Sequence, residues 1–140
     1  MIKRSRSSRQ AADSALTILI AERDPFMRDT LARSLGDRYQ VEFVTSGQEL
    51  VETARRHPPD LIILEILLPE KDGLQVCREL RKEARLAGVP VLVFSMLEMQ
   101  DRALQAGATA FLKKPLRKSQ MLLTIEQLLS GESATNGKVP

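Results

Sequence analysis

The sequence predicts an α/β fold: one doubly wound sheet of five parallel strands with helices on both faces. Three observations predict it. Short apolar runs at Thr17–Ala21, 39–44, 61–65, Val91–Ser95 and 110–112 are each followed by a helical pattern, and such alternation builds a parallel sheet through right-handed crossovers. The runs near 61–65 and 91–95 are apolar without alternation, as in strands buried on both faces. The chain has 140 residues, 43% hydrophobic and 28% charged, which suits one domain with one core.

Residues 1–15 are Ser/Arg-rich and unpatterned, which predicts a disordered basic tail. Lys3, Arg4, Arg6 and Arg9 against Asp13 leave it at +3, the whole formal charge of the chain. The folded part, 16–130, has no basic excess and gives no reason to expect nucleic acid as a partner.

The strand Thr17–Ala21 ends in Glu22-Arg23-Asp24-Pro25. Asp24 reads as an N-cap with Pro25 at the first helical position. Met27, Leu31 and Leu35 then share one face of a helix that stops at Gly36. The strand at 39–44 alternates and reads as an edge. Ser46 and Glu49 form a capping box opening a helix that buries Leu50, Val51 and Ala54. His57, the sole histidine, lies at that helix's C-terminus, where it serves the dipole rather than catalysis.

The third strand is read over 61–65. It breaks at Pro69 and restarts at Asp72-Gly73. Asp72 caps a helix with Val76, Cys77, Leu80 and Ala84 on its buried face, ending at Gly88-Val89-Pro90. Cys77 reads as a small core residue. A lone cysteine excludes an internal disulfide and a cysteine-based zinc site, and suits a reducing cytoplasm. The strand Val91–Ser95 is followed by a short helix, 101–106, closed by Gly107. A fifth strand, 110–112, leads to Lys113-Lys114-Pro115. A last helix, about 117–129, buries Met121, Leu122, Ile125 and Leu128, and 131–140 read as a second disordered tail. No run approaches the ~20 apolar residues of a membrane span.

The strand ends carry the chemistry: Glu22-Arg23 after the first, Glu65 at the third, Ser95 at the fourth and Lys114-Pro115 after the fifth. Pro69 lies four residues after Glu65, with Asp72-Gly73 seven and eight after, and Gly107-Ala108 precedes Phe111. In these features, residues 16–130 resemble the receiver domain of bacterial two-component response regulators. The resemblance implies a flavodoxin-like sheet in the order 2-1-3-4-5, with a site at the switch point between strands one and three. It implies an acidic pair and an Asp that bind Mg²⁺, the Asp being phosphorylated by a histidine kinase, with a Ser or Thr and a Lys on the phosphoryl group. It also implies a cis bond before Pro115. Carried over, Glu22 is the first acid, Ser95 the hydroxyl, Lys114 the lysine and Phe111 the switch aromatic.

Two positions depart from that pattern. Arg23 stands where the second acid belongs, and Glu65 stands where the phosphorylated Asp belongs. A guanidinium has no acceptor to offer a metal, and Glu carries its carboxylate one methylene further out. The expectation is that Arg23 reaches Glu65, Glu22 or both, and that Lys114 and Ser95 approach Glu65. The loop after Ser95 is short and carries Met96, Leu97 and Met99. Two readings stay open for it: packing on the core, or a partner surface.

The expected function is a receiver-like module of phosphorelay signal transduction acting as a phosphorylation-independent protein-interaction domain. It is expected to be no enzyme, with no catalytic residue, no cofactor and no Mg²⁺. The expected partner is a protein at the face of the fourth helix, fifth strand and fifth helix. Met96, Phe111 and Pro115 are the candidate switch residues. A homodimer and a sensor kinase are the other partners the resemblance implies; a membrane is not expected. No output domain follows residue 130, so the chain reads as a single-domain regulator or a piece of a longer one. Two alternatives stay open. One is a working receiver that takes phosphate with Mg²⁺. The other is a flavodoxin-like small-ligand binder, for which there is no G-x-G-x-x-G loop, no Trp and only one Tyr.

Overall fold

Four apolar residues, Leu61–Leu64, form the central strand β3, and none of them is more than 1% exposed. In the computed structural model, which describes residues 15–131, β3 pairs with β1 (Thr17–Ala21) on one side and β4 (Val91–Ser95) on the other. β2 (Gln40–Val44) and β5 (Ala110–Lys113) are the edges. All four pairings are parallel, in the order β2-β1-β3-β4-β5, the doubly wound flavodoxin-like topology expected. The two predicted tails lie outside the described residues, apart from Ala15 and Gly131 at their inner ends.

The helices are α1 (Pro25–Leu35), α2 (Gly47–Arg56), α3 (Gly73–Arg81), α4 (Gln100–Ala106) and α5 (Lys118–Leu129). Alternate strand residues feed two cores. Leu19, Ala21, Ile62, Leu64, Val91 and Val93 pack with residues of α2, α3 and α4. Ile18, Ile20, Leu61, Ile63, Leu92 and Phe94 pack with residues of α1 and α5. Period-two side-chain alternation is what lets one apolar run serve both faces.

Local chemistry sets the helix starts. Asp24 Oδ1 accepts from the Phe26 N–H at 3.1 Å, and Asp72 Oδ1 from the Gln75 N–H at 2.9 Å. Ser46 Oγ accepts from the Glu49 N–H at 3.0 Å, but Glu49 returns a bond to the Thr45 N–H (3.2 Å), one residue earlier than a capping box requires. The helix after Asp72 is shorter than its pattern suggested. It ends at Arg81, Ala84 is exposed, and Leu86 fills the core position instead. The chain turns there because Arg81 folds back over the carbonyls of Leu86, Ala87 and Val89, a competition that helical spacing does not reveal.

Gly73 begins α3 directly beneath the end of β3. A Cβ at Gly73 would lie 2.5 Å from the Glu65 carbonyl oxygen and 2.8 Å from Ile66 Cα, both backbone atoms. The close approach of α3 thus seats Glu65. Overpacking of this kind typically costs about 1–3 kcal/mol. Gly73→Ala should lower stability by that amount in urea unfolding and shift the amide resonances of residues 65–67. Unchanged stability together with unchanged shifts would refute the role given to this contact.

Candidate functional site

Strand register assembles the site. Ala21 pairs with Leu64, so the residues after them, Glu22 and Glu65, are neighbours. The Glu65 N–H donates to the Ala21 carbonyl (3.1 Å), and the Glu22 N–H to the Val44 carbonyl (3.1 Å). Ser95 is the last residue of β4. Lys114 follows β5 and its N–H donates to the Ser95 carbonyl (2.9 Å). Four strand ends therefore deliver two carboxylates, a hydroxyl and an ammonium to the carboxyl edge of the sheet, where open α/β sheets build their sites.

Lys114 Nζ lies between the carboxylates, 2.9 Å from Glu22 Oε1 and 2.7 Å from Glu65 Oε1. The three side chains are 10%, 4% and 7% exposed, so this is a buried ion cluster. Glu65 Oε2 accepts from Ser95 Oγ at 2.5 Å, from the Ile66 N–H at 2.6 Å and from the Leu67 N–H at 3.1 Å. Glu22 Oε2 accepts from the Asp24 N–H at 3.1 Å. Each of the four carboxylate oxygens has a donor, the condition under which buried charge is tolerated. Lys114 Nζ also stands 5.5 Å from the Phe94 ring centroid, within cation–π range.

Burial alone would raise the Glu65 carboxyl. Hydrogen bonds from Lys114, Ser95 and Leu67 outweigh it and hold the group below its ordinary range. Burial alone would lower Lys114, and its bonds to Glu65 and Glu22 reverse that and raise it. Both ends of the pair are thereby kept charged at neutral pH.

Of the predicted site residues, Glu22, Glu65, Ser95 and Lys114 come together and Arg23 does not. Arg23 is exposed and, among the described residues, makes no ion pair or hydrogen bond to either carboxylate. Glu22 is buried at the end of β1, and Arg23, the next residue, is exposed to solvent. Lys114 fills the place where the guanidinium was expected. The cluster therefore sets one ammonium between two carboxylates, with Arg23 outside it.

In the loop after β4 the two readings divide by residue. Leu97 and Met99 pack against the α2–α3–α4 core, while Met96 is 68% exposed. Phe111 packs half-buried against that same core, and Pro115 is exposed after a cis Lys114–Pro115 bond. Four contributors had no sequence signal. These are the Ile66 and Leu67 amides, the Phe94 ring, and Arg28, whose guanidinium donates to the Glu22 carbonyl at 3.0 Å.

The fold and this cluster define a receiver domain. The family model described as the response regulator receiver domain matches residues 18–126, and the chain belongs to that family, whose members act in two-component signalling. The transcriptional regulatory protein PdtaR of Mycobacterium tuberculosis is 38% identical over 124 residues, covering 85% of this chain and 60% of that protein. Response regulator MprA of Mycobacterium leprae is 36% identical over 118 residues, covering 81% of this chain and 51% of that protein. The chain thus spans about half to three-fifths of the length of these curated relatives. Among solved structures, the receiver domain of a signal transduction histidine kinase from Syntrophus aciditrophicus matches with a TM-score of 0.78 at 36% identity, covering 84% of this chain and 92% of that one. The receiver domain of a sensor histidine kinase from Pseudomonas aeruginosa, solved with magnesium coordinated in its active-site cleft, matches with a TM-score of 0.78 at 25% identity, covering 84% of this chain and 99% of that one.

Removing the ammonium leaves two buried carboxylates without a counter-charge, which typically costs about 3–5 kcal/mol. Lys114→Met should lose that much in urea unfolding at neutral pH. The pH dependence follows from the directions of the shifts. The lowered Glu65 contributes stability that is present above its unfolded value, roughly 4.3, and is lost as pH falls through the depressed folded value. The raised Lys114 contributes stability that is present below its unfolded value, roughly 10.4, and is lost as pH rises through the elevated folded value. Thermal unfolding should therefore show a plateau from about pH 5 to 10. In Lys114→Met the low-pH side should invert, with stability rising on acidification as a buried carboxylate takes a proton. A variant with the wild-type profile would contradict the ion cluster.

Proposed function

We propose that this receiver domain signals through protein contacts without being phosphorylated. One observation carries the reading: Glu65 already holds the groups that the family resemblance assigns to a phosphoryl group. Its Oε1 takes Lys114, and its Oε2 takes Ser95 and two backbone amides. The extra methylene of Glu brings the carboxylate out to these donors. Phosphoryl transfer needs in-line access to a carboxylate oxygen, and a displacement of even ~1 Å is costly. Here both oxygens are engaged and the hydroxyl is already drawn in.

The magnesium implied by the family does not fit this donor set. Mg²⁺ requires near-octahedral oxygen ligands. Glu22 and Glu65 are bridged by an ammonium, and Arg23 stands at the position of the second acid. Among the described residues, no group of three or more His, Cys, Asp or Glu is placed to hold a metal ion. We read Lys114 as the resident cation of the site and the domain as non-enzymatic.

The partner we propose is a protein bound at the face of α4, β5 and α5, where Phe111 lies on β5 and Met96 is in the loop before α4. The balanced charge of the folded part disfavours nucleic acid as a direct ligand of this domain. No helix among the described residues is long and apolar enough to cross a membrane, and we place the domain in the cytoplasm.

The test is a Mg²⁺ titration followed by NMR, then intact-mass spectrometry after acetyl phosphate. Wild-type protein is expected to show no saturable shift at millimolar Mg²⁺ and no mass increase of about 80 Da, one phosphoryl group. The double variant Arg23→Asp with Glu65→Asp should regain metal binding, because it returns an acid beside Glu22 and draws the carboxylate at position 65 back from Lys114 and Ser95. A stable phosphoryl adduct on wild-type protein would replace this reading with that of a working receiver.

A further inference from the structure

α4 is a weak helix by its own sequence. It has seven residues, Gln100–Ala106, and its N-cap, Met99, makes no side-chain capping bond. A helix of two turns is marginal alone, so its position is set by what holds its ends. Near its N-terminus the hold is light: the ion pair of Glu98 with Lys113 of β5 is solvent-exposed and worth little, and the other contacts are few. The Leu97 N–H donates to Ser95 Oγ at 3.3 Å, and Leu97 and Met99 lean on the core. Ser95 Oγ is the same hydroxyl that Glu65 engages.

At the C-terminus the hold is different in kind. Arg81, the last residue of α3, donates Nε–H to the carbonyl of Gly107, which closes α4, at 2.8 Å. Its Nη1 reaches the carbonyls of Val89 (2.7 Å), Ala87 (3.0 Å) and Leu86 (3.4 Å). Its Nη2 donates to Thr109 Oγ1 at 3.2 Å, which also accepts the Val91 N–H at 3.0 Å. Gly107 is left-handed (φ 117°), and a Cβ there would meet Arg81 Cγ at 2.7 Å. The arginine stem therefore lies against the glycine as its head group ties the turn. Among the described residues no carboxylate forms an ion pair with this cation, and its partners are neutral oxygens of one loop, 86–89, and one turn, 107–109. A residue that only capped α3 would need the carbonyls of 86–89. The bonds to Gly107 and Thr109 belong to the turn between α4 and β5.

We infer that Arg81 is the hinge pin of α4: it fixes the helix's C-terminal end to α3, so that α4 adjusts only at its N-terminal end, where Ser95 and Glu65 act. This goes beyond the phosphorylation-independent reading and holds whichever group engages Ser95. It makes the face of α4, β5 and α5 a lever with one fixed end, a local hinge of the kind that absorbs motion in switching domains.

Hydrogen–deuterium exchange on the full chain tests it. Arg81→Met removes every donor and should speed exchange over residues 104–109 by about tenfold or more, while β1 and β3 keep wild-type protection. Ser95→Ala should speed exchange over 96–100 and leave 104–109 protected. Arg81→Lys and Thr109→Val, which each keep part of the network, should accelerate 104–109 by a smaller factor and carry the test if Arg81→Met does not fold. Unchanged exchange at 104–109 in these variants would overturn the pin. So would acceleration spread evenly over β1, β3 and α4, since that marks a loss of global stability alone.

Discussion

The ammonium of Lys114, held between the carboxylates of Glu22 and Glu65, is the contact on which the carboxyl edge of the sheet depends. Each of its partners comes from a different strand end. A buried ion cluster is tolerable only when every charged atom is matched, and here the matching donors are strand-end and loop amides, a hydroxyl and one lysine. The requirement runs outward. Glu65 must meet Ser95, so the end of β3 and the end of β4 are tied. Lys114 must turn back across the sheet, so the segment after β5 is tied to β1. Gly73 must let α3 close on the Glu65 backbone.

On the proposed reading, a single methylene is what matters in this cluster. A shorter carboxylate at position 65 would stand further from Ser95 and Lys114, leaving room for a group between them. The Glu side chain closes that room itself. Arg23, outside the cleft, supplies neither a ligand nor a counter-charge. The sheet and the lysine follow the receiver pattern, and Arg23 and Glu65 are the two site positions that depart from the pattern the resemblance implies.

The opposite edge of the sheet holds a second partly buried cation, Arg81, satisfied in a contrasting way. Burial lowers its pKa from the ordinary value, yet a guanidinium stays protonated throughout the accessible range. It can therefore rest on neutral carbonyls, whose dipoles suffice for a delocalised charge with several donors. Lys114 concentrates its charge at one nitrogen and takes two carboxylates. In the proposed lever, the start of α4 is linked through Leu97 and Ser95 to Glu65, and its end is tied by Arg81.

Much of the fold was legible in the chain. The unbroken apolar runs of β3 and β4 announced strands buried on both faces, and Asp24, Ser46 and Asp72 announced helix starts. The residues Glu22, Glu65, Ser95 and Lys114 stood at the strand ends in the spacing of the family. What the chain could not show was direction and partner. Arg23 and Glu22 are adjacent in sequence, and only the pairing of β1 with β3 decides that Glu22 faces the cleft and Arg23 the solvent. The helical pattern after Asp72 ran on past Arg81, and only the nearness of the turn after α4 decides that Arg81 folds back and ends it. Apolar periodicity and capping chemistry are local, so the sequence by itself determined the elements and the candidates at their ends. Charge pairing at those ends joins residues 49 and 92 positions apart along the chain, so the tertiary structure alone decided which of the candidates meet.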